Sequence, residues 1–71
     1  MNKMKISYDK EVDVAYIYLK HSIEKGEAKK TIELNNNIIL DFDKNKKLIG
    51  IEVLSASKIL GKKVLEQPLA A

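Results

Sequence analysis

Asp41 and Asp43 stand two residues apart in Ile39-Leu40-Asp41-Phe42-Asp43, and Glu52 follows within Leu48-Ile49-Gly50-Ile51-Glu52-Val53-Leu54. Side chains alternate between the faces of a strand, so the two aspartates share a face, and an adjacent strand can turn Glu52 toward them. Hard cations such as Mg²⁺ and Ca²⁺ bind through carboxylate oxygens, and Asp41, Asp43 and Glu52, joined by Asp9 and Asp13, are the candidates for such a cluster. The same group offers two carboxylates for acid–base work, the basis of a cation-dependent hydrolase reading. A plainer reading is structural. Asp9, Asp13 and Asp43 flank turns, where aspartate accepts hydrogen bonds from its own nearby backbone, and Glu52 pairs with a lysine across the strands. The plainer reading is preferred, because an enzyme would also want a histidine, a nucleophile beside a base or a glycine-rich phosphate loop. The chain has no cysteine and one histidine, His21, in a polar, exposed loop. The expectation is a non-enzyme with no catalytic residues, no metal and no cofactor.

The elements that must position these residues are short. Met4-Lys5-Ile6-Ser7-Tyr8 alternates at period two, a half-buried strand with Met4, Ile6 and Tyr8 inward. Val12 to Leu19 is apolar on both faces, with Val14, Tyr16 and Tyr18 on one and Ala15, Ile17 and Leu19 on the other. Such a strand is central or faces something beyond the sheet. Val14, Ile17 and Tyr18 also fit helical spacing, but the β-branched and aromatic content favours a strand. Ala28 to Leu34 alternates again, and Asn35-Asn36-Asn37 breaks it with residues that tolerate the left-handed conformations of tight hairpins. Ile38 to Asp43 and Leu48 to Leu54 then flank Lys44-Asn45-Lys46-Lys47, a turn in which Asn45 is the residue best suited to a left-handed backbone. Gly50 inside a strand marks a bulge or the close approach of another backbone. Ser55 or Ser57 is placed to cap a helix whose first turn is Lys58-Ile59-Leu60, which Gly61 ends or weakens. The sum is an α+β domain: a small antiparallel β-meander of about five strands with one short C-terminal α-helix. Residues 1–71 are read as a single domain, with an ordered core over about 4–65 and a frayed tail over 66–71.

A domain of 71 residues buries only roughly 60% of its unfolded surface and usually needs further support. The absence of cysteine excludes disulfides and thiolate metal sites, and a lone histidine leaves an ordinary zinc or haem site without nitrogen ligands. Self-association is the support that remains. One short helix cannot cover five strands, so Val14, Tyr16 and Tyr18 would lie in water as an apolar patch. These three are the expected interface of a homodimer, built through the tyrosine-bearing face or an exposed strand edge. The net charge is +3, and all 13 basic residues are lysine. Base readout favours the planar fork of arginine, and so slight an excess is a poor handle on phosphate. The lysines between Lys44 and Lys63, against Glu52 alone, form a locally basic solvated surface. Tyrosines on strands belong more often to core or interface than to base stacking, so no nucleic-acid partner is expected. Hydrophobic residues at 45% and charged residues at 32% describe a globular chain. No apolar run approaches membrane-spanning length, and the first residues lack the apolar core of a signal peptide; the cytoplasm is the expected compartment.

Three stretches, Tyr8-Asp9-x-Glu11-x-Asp13-x-Ala15-Tyr16-Ile17, Ile39-Leu40-Asp41-Phe42-Asp43 and Leu48-Ile49-Gly50-Ile51-Glu52-Val53-Leu54-x-Ala56-Ser57, together resemble a family of small prokaryotic proteins catalogued as domain of unknown function 2283. The resemblance implies a small sheet-rich domain with no established activity. Some members look like antitoxin-type partners encoded beside a small toxin-like protein. One departure is visible: the family's second hairpin turn often carries glycine after the acidic residues, where lysine and asparagine stand here, which leaves the turn type open. The expected function is a non-enzymatic protein-interaction module that forms a homodimer. An antitoxin-like partner of a small toxin and a cation-dependent hydrolase are the alternatives.

Overall fold

The computed structural model describes residues 4–20 and 22–66. His21 and the expected frayed tail beyond Glu66 lie outside those residues. The alternating runs form five strands, β1 Lys5–Asp9, β2 Val14–Tyr18, β3 Lys30–Leu34, β4 Ile38–Phe42 and β5 Leu48–Leu54. Two single-turn helices follow, α1 Ala56–Ile59 and α2 Lys62–Leu65. The α+β class and the five-strand antiparallel sheet are those expected. The segment whose spacing also suited a helix is strand from Val14 to Tyr18.

The strand order corrects the simple meander. It runs β1-β2-β5-β4-β3, so β5 lies between β2 and β4, and β2 does not neighbour β3. A hairpin, β1–β2, and a three-strand meander, β3–β4–β5, are thus joined along β2 and β5. Burial explains the choice. The longest strand, Leu48–Leu54, is apolar on both faces and buries Ile49, Gly50 and Val53 only with strands on either side. The one expected C-terminal helix is also split into two, because Leu60 and Gly61 are both extended and interrupt it.

Local chemistry sets the turns. Asn35 and Asn36 take φ of 51° and 61°, and the Asn37 amide donates to the Leu34 carbonyl at 3.1 Å, a tight turn of the kind the asparagine run suggests. In the β4–β5 turn the left-handed residue is Lys46, φ 65°, rather than Asn45. The Lys46 amide donates to the Asp43 carbonyl, and the Asp43 and Lys47 backbones close the loop, so the left-handed position falls one residue past the turn's centre.

Cross-strand register places Ile6, Tyr8, Ala15, Ile17, Ile51, Val53, Leu40, Ile38, Ile32 and Leu34 on one face. The helices pack onto part of it. Ala15, Val53 and Ala56 form the buried centre, surrounded by Ile6, Tyr8, Ile17, Ile51, Leu60 and Leu65. No side chain of β3 or β4 belongs to that cluster. The molecule is 33 × 30 × 17 Å, a slab hardly thicker than a sheet and one partial layer.

Candidate interaction surface

The face away from the helices carries Val14, Tyr16 and Tyr18 together with Asp41 and Glu52. Tyr18 lies opposite Lys5 and Gly50, Tyr16 opposite Ser7 and Glu52, and Val14 opposite Asp9 and Leu54. The Tyr16 ring crosses Gly50, where a Cβ would fall 2.0 Å from the phenol oxygen. Gly50 therefore does mark a close approach, by a side chain rather than a backbone, and a register shift between Asp41 and Phe42 sits opposite it. Across this gap the Tyr16 hydroxyl donates to Asp41 Oδ2 at 2.7 Å, while Thr31 donates to Oδ1 at 3.0 Å. Burial, reinforced by the bond to Asp41, pushes the Tyr16 phenol well above its ordinary pKa. Tyr18 meets Tyr16 edge to face at 4.7 Å between ring centres, and the Lys5 ammonium lies 4.8 Å from the Tyr18 ring centre. Tyr16 and Tyr18 thus have partners within their own sheet.

The acidic candidates do not converge. Asp9 accepts the Glu11 amide at 3.0 Å and Asp43 accepts the amides of Asn45 and Lys47 at 2.8 and 2.9 Å. Asp41 is held by Tyr16 and Thr31, and the cross-strand neighbours of Glu52 are Tyr16 and Ile39 rather than a lysine. Among the described residues no three acidic or histidine side chains gather into a cation-binding group.

Asp13 has a role that sequence reasoning missed. At φ 57° it lies in the left-handed region, and its carboxylate accepts the Tyr8 hydroxyl at 2.6 Å, the Ser57 amide at 2.9 Å and the Ser57 hydroxyl at 2.8 Å. Its carbonyl takes the Ala56 amide at 2.9 Å. Ser57 thus spends its hydroxyl on Asp13, and Ser55, at the helix start, makes no side-chain cap. The Tyr8 and Ser57 donors hold the Asp13 carboxyl below the usual carboxylate range, and the same bond raises the Tyr8 phenol. The β1–β2 turn is in this way fastened to the start of the helix layer. Ser57 lies 44 residues from Asp13, and no local pattern announces the pair.

The other half of the helix side is open. Every residue of β3 is exposed, Leu34 to 44% and Ile32 to 37%, while Ile38, Leu40 and Phe42 beside them are half-buried. Leu48, at the start of β5, is also exposed. A groove of about 210 Å³ runs here, lined by Ile32 and Phe42 with Lys30, Asp43 and Lys46 at its rim. Another groove, about 470 Å³, lies at the covered end between Tyr8, Lys10, Ser57, Lys62 and Leu65. No helix among the described residues is long and apolar enough to cross a membrane.

A family model described as Protein of unknown function (DUF2283) matches residues 5–57, from β1 through the Asp13–Ser57 contact. The uncharacterized protein MJ0789 of Methanocaldococcus jannaschii is 44% identical over 57 residues, covering 80% of this chain and 45% of that protein. The chain thus spans about half the length of the curated relative it matches. No solved structure matches. With the model covering the whole sheet and the start of the helix layer, the chain belongs to the family described as Protein of unknown function (DUF2283).

Proposed function

We propose that this protein is a non-enzymatic interaction module that works as a homodimer. The observation that carries the reading is the unfinished core. Among the described residues only Ala15, Ile49, Val53 and Ala56 form the buried hydrophobic set, and no large side chain is fully enclosed. A full-sized aliphatic side chain removed from water contributes about 1.5–3 kcal/mol, so leaving Ile32, Leu34 and Leu48 wet forgoes much of what a small domain has available. Association recovers it. Asp9, Asp13, Asp41 and Asp43, by contrast, are occupied by turns and by neighbouring hydroxyls and amides.

Sedimentation of the full chain at micromolar concentration is the test. A dimer is expected, and a stable monomer would contradict the reading. Binding of the same surface by a different small protein, as the antitoxin-like alternative requires, would show as a monomer alone and a heterocomplex after co-expression with the product of the adjacent gene.

A further inference from the structure

We infer that the open half of the helix side is covered by the same half of a second copy, packed face to face about a twofold axis; this rests on the homodimer reading and specifies its contact. The helix layer lies over β1, β2 and β5 only, so each molecule has a step: helices at one end, bare β4 and β3 at the other. Two such steps related by a twofold interlock, with the β3–β4 half of each copy entering the layer that the other's helices leave empty. Sheets stack about 10 Å apart, the same spacing a helix layer occupies, so the partner's strands fit the missing level.

Three features favour this contact over the others. The apolar side chains Ile32, Leu34, Leu40 and Phe42 all point to this side, through cross-strand pairs of Ile32 with Leu40 and of Lys30 with Phe42. The rim carries both signs of charge, Lys30 and Lys46 against Asp43, so the patch is self-complementary under a twofold and needs no partner of opposite net charge. Pairing through the β3 edge alone would satisfy backbone groups that water already serves while leaving the same aliphatic side chains exposed. The opposite face is the weaker candidate, since its tyrosines are tied to Asp41, Lys5 and each other.

Equilibrium sedimentation of the full chain and of Leu34→Lys, Ile32→Lys and Glu33→Lys separates the cases, with circular dichroism to confirm that each variant is folded. Leu34 and Ile32 are exposed on the edge strand, so the lysines are tolerated in a monomer. The expected result is a wild-type dimer whose dissociation constant rises by about 100-fold or more with either lysine on the apolar side. Glu33→Lys, on the other side of the same strand, leaves it within about threefold. A wild-type dimer indifferent to both Leu34→Lys and Ile32→Lys overturns this contact and leaves the homodimer standing. Dissociation by Glu33→Lys alone overturns it in favour of edge pairing. A wild-type monomer removes both proposals.

Discussion

The two halves of the sheet are paired alike and buried differently. From β1 to β3 every neighbouring pair of strands runs antiparallel, with a single register shift between β4 and β5, yet the buried cluster of Ala15, Val53 and Ala56 sits where α1 and α2 reach. Strand pairing alone therefore builds the sheet without building a core. The covered half holds the molecule together, and the open half has the composition of a core without the layer that would make it one.

The largest expected effect lies at the junction. Gly50→Val would drive a side chain into the Tyr16 phenol and break its bond to Asp41, costing about 3 kcal/mol in chemical denaturation. A milder loss would show that the Tyr16 ring swings away freely. Next comes the direct contrast between halves. Val53→Ala, in the buried centre, should cost about 2 kcal/mol. Leu34→Ala should change the stability of the monomer by no more than about 0.5 kcal/mol. Equal losses would mean that the halves are equally packed in solution.

Acid should act on the covered half first. The folded state depresses the Asp13 pKa, so its contribution is complete above the unfolded carboxyl value and is lost as pH falls through the folded one. Glu27, lowered by Lys20 and by the Glu24 amide, follows the same sign in the β2–β3 connection. Hydrogen exchange at low pH should quicken in α1 and the β1–β2 turn before β3 and β4, and Asp13→Asn should remove that order. At the alkaline end Tyr16, with its pKa raised, contributes fully below its ordinary value of 10.0 and loses that contribution as pH climbs through the raised one. The smallest effect is at the β4–β5 turn. Lys46→Gly relieves a left-handed lysine and should stabilise by about 0.5 kcal/mol, offset by a more flexible unfolded chain.

Much of this was legible beforehand. The five strands follow from alternation, the asparagine turn from residue type, and the crowding at Gly50 from its place inside a strand. The strand order was not, because the two apolar faces of Val12–Leu19 are matched by those of Leu48–Leu54, and local pattern does not say that two such strands lie side by side. The break between the helices needed the extended backbone at Leu60 as well as Gly61. The Asp13 contact depends on chain ends brought together only after folding. Val14, Tyr16 and Tyr18 stand out in the sequence by their size, whereas the exposed Ile32 and Leu34 look like ordinary inward residues until the helices are seen to stop short.

The outer side of β3 has one more consequence. A regular strand without proline or a register break is a template for further chains, and here only the ammonium groups of Lys29 and Lys30 and the carboxylate of Glu33 discourage stacking. Neutralising the two lysines by acetylation would remove most of that guard, and concentrated protein would grow ribbons with a cross-strand repeat of about 4.7 Å. The handling of this protein, as much as its biology, turns on two positive charges at one margin.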